Sequence, residues 1–323
     1  MPKLPSIAAS TPIPDVIVIG EALTDIVISP AGTMGHPGGS PMNVAYGLGR
    51  LGVDTALLTS IGDDDRGLAI ENHLRSVRVG LLPGSRTPGR TSSAVASLAA
   101  DGSATYDFDV SWELKAVVLD HFPQMIHTGS IATFLAPGAA TVRTLLERAP
   151  HECVVTYDPN IRPALLGSQA EALSIFEDLV PLTGVVKLSD EDARWLYPAL
   201  DAEAVAARIL NLGTDLVVMT FGAEGSMLAT PTTQQLVPSV KSVVADTIGA
   251  GDSYMAALIH GLLNCGTDGL TNAALDSLGR SASAAAATTV RRHGANPPTL
   301  QELSEMLVHV GLDVQQVTTV MPR

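Results

Sequence analysis

Aromatic residues make up only 4% of this 323-residue chain, and it holds just two cysteines. Any core must therefore be aliphatic. Cys153 opens an apolar run and Cys265 follows a helical stretch, so both read as ordinary buried thiols. No disulfide framework is present, which fits a reducing compartment. Basic residues are scarce: 19 Lys and Arg stand against 33 Asp and Glu, for a net charge of −14. That balance argues against nucleic acid or an anionic membrane surface as the main partner. No uninterrupted apolar run approaches the roughly 18 residues of a membrane span. The chain contains no Gly-Lys pair, which excludes a Walker P-loop. Residues 1–14 carry three prolines before position 13 and no apolar h-region, so they read as a flexible tail, not a secretion signal. A soluble, cytoplasmic protein is expected.

Hydrophobic residues reach 46%, enough for a substantial core. Val16-Ile-Val-Ile-Gly20 is a β-branched run ending in glycine, as suits a strand buried on both faces. Residues 22–30 continue in an extended pattern, residues 31–41 read as a loop, 42–50 as helix and 55–63 as a second buried strand. Further apolar strands follow at 124–130, 153–160, 184–189 and 216–222, with helical segments between them. Strands alternating with helices imply a parallel sheet covered on both faces, with ligands at the carboxyl ends of its strands. Gly129, Asp158, Asn160, Ser189 and Thr220 all fall at that edge. Residues 91–110 break the pattern. Two extended segments flank Asp101-Gly102, a hairpin turn signal, and Tyr106, Phe108 and Val110 alternate with Asp107 and Asp109. A small β lid would look like this.

The most informative stretch is Asp246-Thr-Ile-Gly249-Ala250-Gly251-Asp252, which runs directly into an apolar helical pattern. Small residues opening a helix expose backbone N–H groups and form an anion site. Asp252 stands at its mouth. Donors for a phosphoryl group beside a base for an alcohol proton are the parts that phosphoryl transfer requires. An acidic cap after a Gly-rich turn has the same look. Gly38-Gly39-Ser-Pro-Met-Asn43 is a second Gly-rich turn opening a helix. Asn43 offers donors and an acceptor, and Asp25, just past the first strand, could accept two sugar hydroxyls. Gly47-Leu-Gly49-Arg-Leu-Gly52 matches G-x-G-x-x-G, but it closes a helix and precedes a strand. A dinucleotide site needs the reverse order, so these glycines read as cap and packing residues.

Taken together, GGSPMNVAYGLGRLG, SIGDDDRG and DTIGAGD closely resemble the signatures of the ribokinase-like (PfkB) family of carbohydrate kinases, over about Val16 to Pro298. The resemblance implies a three-layer α/β/α sandwich with a mainly parallel central sheet and a small β-sheet lid. It places one kinase domain at 15–315, with the lid contributed by 24–38 and 90–111. It implies Asp252 as catalytic base, with Gly249, Ala250 and Gly251 as the anion hole. Asp25, Gly38, Gly39 and Asn43 match positions that hold the sugar. Thr220, Gly222 and Gly225, with Gly294 and Ala295, match the region around ATP. Mg²⁺ is the expected partner of the nucleotide, and K⁺ a further candidate, with Asp192 and Asp246 as metal-site candidates. One departure stands out: relatives carry Asn-x-x-Glu where this chain has Ser189-Asp190-Glu191-Asp192.

Within the family, GGSPMN and Tyr157-Asp-Pro-Asn-Ile-Arg162-Pro are similar to fructokinases, and Phe108 and Arg162 are the further sugar-contact candidates. The implied activity is ATP-dependent phosphorylation of D-fructose, with 2-keto-3-deoxygluconate, or the acceptor of another sugar kinase of the family, as the alternative. A non-catalytic sugar sensor on the same fold is the reading from another class; it would not need Asp252 beside an intact Gly-Ala-Gly loop. A homodimer is the expected assembly.

Overall fold

The central strands hold valine and isoleucine on both faces, and this makes them the middle layer of a sandwich. In the computed structural model, which describes residues 6–7, 13–29, 32–98 and 104–311, Val16 and Val18 join one core while Ile17 and Ile19 join the other. Val185 and Val218 likewise face one side, and Val186, Leu188, Val217 and Met219 the other. Each such side chain, fully buried, contributes about 1.5–3 kcal/mol, so a one-residue slip is costly and the register is firm.

The sheet has nine strands among the described residues. Val16–Ile19 lies between Thr55–Leu58 and Met125–Gly129, parallel to both. Val154–Asp158, Val185–Ser189 and Leu216–Thr220 continue in parallel. Ser226–Ala229 and Gln234–Val237 close one edge antiparallel, and Gly80–Leu81 forms the other edge. Helices Ser40–Arg50, Ala250–Cys265 and Asn272–Thr289 cover the first face. Gly138–Glu147, Gln169–Leu179 and Ala202–Asn211 cover the second, where Trp112, Tyr157, Phe176 and Tyr197 supply the few core aromatics. Among the described residues, no helix is long and apolar enough to cross a membrane.

A separate four-stranded sheet stands over one end of this body, in the order 104–109, 93–98, 23–29, 32–38. Leu23–Ser29 pairs parallel with Ser93–Leu98 and antiparallel with Gly32–Gly38. Residues 31–41 therefore contain an edge strand where the sequence suggested a loop. Pro37 and three glycines weaken strand propensity, but an edge tolerates them because one side needs no ladder partner. The expected strand 55–63 is broken too. The chain bends at Thr59-Ser60, and Ile61–Gly62 pairs with Arg86–Thr87 in a sheet of its own. The Asp101-Gly102 turn, most of the 1–14 tail and residues 312–315 lie outside the described residues. Within that tail, Ser6–Ile7 pairs parallel with Val118–Leu119.

Gly47 and Gly49 sit in and at the end of the helix Ser40–Arg50, not at a helix start, so the G-x-G-x-x-G match is no dinucleotide site. Gly47 instead allows close packing. A Cβ there would lie 2.8 Å from the Ala256 Cβ on the helix Ala250–Cys265. This contact carries the start of one Gly-rich helix to the start of the other.

Candidate active site

The helix Ala250–Cys265 begins at Gly249, whose φ of 75° is the left-handed conformation that favours glycine. No cap side chain occupies the helix start, and a Cβ on Gly249 would lie 2.6 Å from the Ala295 Cβ. The turn stays open, and first-turn N–H groups of the helix are left to face an anion.

Asp252, in that first turn, is tied to the other Gly-rich helix. Its Oδ1 accepts the Ser40 hydroxyl at 2.6 Å, and its Oδ2 accepts the Asn43 side-chain N–H at 2.8 Å. Burial raises its pKa above the usual aspartate value. The bonds from Ser40 and Asn43, with the charges of Lys187 and Arg162, oppose that shift without cancelling it. Sequence reasoning gave Asn43 to the sugar; the structure gives its amide N–H to the carboxylate. Ser40 was not singled out, although a hydroxyl at the start of the same helix was visible in GGSPMN.

Beneath the cradle lies a buried ion pair. Lys187 Nζ donates to Asp158 Oδ2 at 2.7 Å, with side chains 5% and 2% exposed. A Cβ on Gly251 would come within 3.2 Å of the same Nζ, so the ammonium sits directly under the anion loop. Burial raises the Asp158 pKa to about 6 even against the pull of Lys187. Its Oδ1 is buried with no hydrogen-bond partner among the described residues. Removing an ion pair from water usually costs more than the pairing returns, so stability alone does not explain this one. The signal for Lys187 was present in the sequence as the single charge inside the apolar strand VVKLS.

The sugar-side candidates converge through sheet register. Asp25 pairs with Ala94, and Ala94 pairs with Phe108, which sets the three in a row across three strands. All three line a cavity of about 330 Å³ together with Gly39, Asn43 and Arg162. The same cavity reaches Lys187, Gly249, Gly251 and Asp252. A side chain at Gly38 would run into the Asp25 carboxylate. Burial and the neighbouring Asp252 raise the Asp25 pKa to about 6, while Arg162 and His36 pull it down. Glu21, which sequence reasoning passed over, lines this cavity too.

Thr220, Gly222, Gly225, Gly294 and Ala295 stand outside the cavity. Thr220 lies beside Ser189 in the sheet, and Gly222–Glu224 forms the turn after it. The Gly294 N–H donates to Asp246 Oδ2 at 2.9 Å, and the Ile248 N–H to Oδ1 at 3.0 Å. Asp246 thus ties the loop before the cradle to the loop that carries Ala295. Val243, Val244 and Ile248 are exposed on the chain leading into the cradle.

Both metal-site candidates are engaged by groups of the protein itself. Asp192 caps its own helix: Oδ2 accepts the Ser189 N–H and hydroxyl, and Oδ1 accepts the Ile161 N–H at 2.8 Å. At 7% exposure it holds the turn before Arg162 in place, and its carboxylate is not presented as a direct ligand. The two carboxylate oxygens of Asp246 are likewise engaged by backbone. Among the described residues, no three His, Cys, Asp or Glu side chains group to hold a metal ion.

The sequence pattern described as "pfkB family carbohydrate kinase" matches residues 14–302. A fructokinase from Rhizobium leguminosarum bv. trifolii is 33% identical, over 76% of this chain and 79% of its own length. A fructokinase from Klebsiella pneumoniae is 30% identical, over 76% and 83%. The crystal structure of a fructokinase with bound ATP from Xylella fastidiosa superposes with a TM-score of 0.79 at 25% identity, over 92% of this chain and 99% of that one. An anion cradle, a tethered carboxylate and a polar cavity under a small sheet are thus found on a ribokinase-type fold, and the chain belongs to the pfkB family of carbohydrate kinases.

Proposed function

We propose that this ATP-dependent sugar kinase transfers the γ-phosphoryl group of ATP to the 6-hydroxyl of D-fructose. The observation that carries it is the placement of Asp252. Its carboxylate sits at the Gly249-Ala250-Gly251 helix start and in the same cavity as Asp25, Asn43 and Arg162. Asp252 takes the proton of the attacking hydroxyl, late in a loose transition state. The helix N–H groups and the Lys187 ammonium meet the charge spread over the phosphoryl oxygens. Asp25 accepts sugar hydroxyls, Phe108 covers the ring, and Gly38 and Gly39 let the chain approach it. Thr220, Gly222, Gly225, Gly294 and Ala295 border the nucleotide, with Val243 and Val244 offering apolar surface to its base.

Magnesium would reach this site on the nucleotide phosphates, keeping several of its waters, and would neutralise phosphate charge there. With Asp192 engaged elsewhere, the carboxylate left for a hydrated ion is Asp158, whose Oδ1 lacks a partner. A potassium ion finds only the engaged Asp246 among the expected ligands. Fructose is favoured over a keto acid by charge. The cavity's cations are Arg162 and Lys187, and Lys187 is already paired, while Asp25, Asp158 and Asp252 all face the same space. The small sheet exposes Ile28 and Met34, the surface through which the expected homodimer would pair. The two cysteines are free thiols, in keeping with a cytoplasmic setting.

The test is an ATP-coupled assay over fructose, ribose, 2-keto-3-deoxygluconate and nucleosides. Fructose is expected to give the highest kcat/KM. A tenfold advantage for another acceptor, on the order of 1.4 kcal/mol, would keep the kinase and replace the substrate.

A further inference from the structure

The transfer derived above gives no part to Glu21, although it faces the sugar. It follows the strand Val16–Ile19 and Gly20, and is 5% exposed. Its Oε2 accepts the Ala132 N–H at 3.2 Å, and the Ser130 side chain also bonds it. The local cause is a missing cap. The short 3₁₀ turn Ser130–Thr133 follows Gly129, which has no side chain to offer its free N–H groups. Glu21 supplies that acceptor from the chain just after a neighbouring strand. Ser130 holds a φ of 54°, a left-handed conformation that persists in a serine only where the surroundings enforce it. Ser130 and Ile131 both line the sugar cavity. On the other side, a Cβ on Gly39 would lie 2.7 Å from the Glu21 carbonyl oxygen. The Glu21 side chain therefore braces the Ser130–Ile131 wall of the cavity, while its backbone carbonyl runs close to the Gly-rich sugar loop.

Its charge state follows from its company. No Lys or Arg forms an ion pair with Glu21 among the described residues; the cavity's cations are Lys187, paired to Asp158, and Arg162. The other carboxylates that face this space are Asp25, Asp158 and Asp252. Burial, with a further push from Asp252, raises the Glu21 carboxyl to about 8, against the bonds from Ser130 and Ala132. Burial thus outweighs the hydrogen bonds that favour the ionised form.

We propose that Glu21 is a positioning residue for the sugar, its side chain fixing the Ser130–Ile131 turn and so setting which sugars the cavity accepts. This rests on the kinase reading above. It assigns Glu21 an effect on sugar affinity and selectivity, with ATP untouched.

The experiment compares Glu21→Gln, Glu21→Asp and Glu21→Ala in the full chain, by steady-state kinetics with fructose and with ribose, and with ATP varied separately. Glu21→Gln, neutral and of the same shape, is expected to hold the sugar KM within about threefold, since it loses no acceptor. Glu21→Asp and Glu21→Ala are expected to raise the sugar KM about tenfold or more and to lower the fructose-to-ribose ratio, at constant KM for ATP. An unchanged sugar KM in Glu21→Ala would overturn the proposal, as would a parallel rise in the KM for ATP. A Glu21→Gln as impaired as Glu21→Asp would overturn it too, because charge would then be required. Should Glu21→Ala not fold, the Gln-against-Asp comparison decides alone. A wild-type enzyme inactive on fructose sinks the substrate reading instead, and the series is then read with the acceptor it does phosphorylate.

Discussion

Asn43 donates its side-chain N–H to Asp252 Oδ2 at 2.8 Å across 209 residues of sequence. With Ser40 on Oδ1, both oxygens of the proposed base are held by one short helix. That helix is brought near by the Gly47–Ala256 contact, so GGSPMN and GAGD are two halves of one device. A carboxylate gripped at both oxygens cannot swing away from the acceptor hydroxyl, and near-attack geometry is maintained before substrate binds.

Asp252→Asn is expected to abolish most turnover while fold and sugar binding persist. An asparagine can still accept from Asn43 and donate to the Ser40 oxygen, so the tether survives and only the base is lost. Loss of a general base costs roughly 10²–10⁴-fold. Single-turnover kinetics with a sugar-binding titration check it: a variant retaining more than about a tenth of wild-type kcat would remove Asp252 from the role.

Asn43→Ala tests the tether through pH. The Asn43 bond favours the ionised form of Asp252, while burial favours the protonated form. Removing the bond raises the Asp252 pKa further. The base must be ionised to work, so activity is lost as pH falls, and the variant should lose it at higher pH than wild type. A lost bond of about 1.4 kcal/mol corresponds to about one pH unit. The pH profile of kcat is the measurement; an acid limb that stays in place would show that Asn43 does not bear on the base.

The four-stranded sheet should become more protected when sugar binds. Among the described residues, its outer strands, Ser93–Leu98 and Ala104–Asp109, meet the rest of that sheet only through Leu23–Ser29. A two-stranded element is marginal until it covers something, and Phe108 lines the sugar cavity. Hydrogen exchange over 93–109, with and without saturating fructose, reads this directly. Equal protection in both states would argue against a closing lid.

Much of this architecture was legible because strands and signature loops announce themselves locally. The β-branched runs marked the parallel strands, and a small-residue loop before an apolar helix marked the anion cradle. Groups acting through long-range contact were less visible. Lys187 showed only as one charge in a buried strand, and Glu21 as an acidic residue after a strand end. Neither the Glu21 cap on the Ser130 turn nor the Lys187–Asp158 pair follows from spacing, since their partners lie 111 and 29 residues away. Asp192 shows the opposite case. Ser189 with Asp192 is also a capping box, a local use that the spacing alone already allows. The strand Gly32–Gly38 was hidden by its glycines and proline, because edge pairing is decided by a neighbour and not by propensity.

The Lys187–Asp158 pair separates stability from function. Lys187→Met leaves Asp158 buried without compensation, at a cost of about 3–5 kcal/mol. A thermal melt should show a clear drop, on the order of 2–4 °C for each kcal/mol in a domain this large. Adding Asp158→Asn removes the stranded charge, so the double variant should recover much of the lost Tm. Activity should not follow. The double variant still lacks the ammonium that lies against Gly251 under the anion loop, so phosphoryl charge would develop without it. Its kcat should stay down by roughly 10²-fold, in the range seen when one preorganised donor is removed. A double variant that regains both Tm and kcat would make the pair a packing feature; recovered Tm with lost kcat places the Lys187–Asp158 pair in the chemistry.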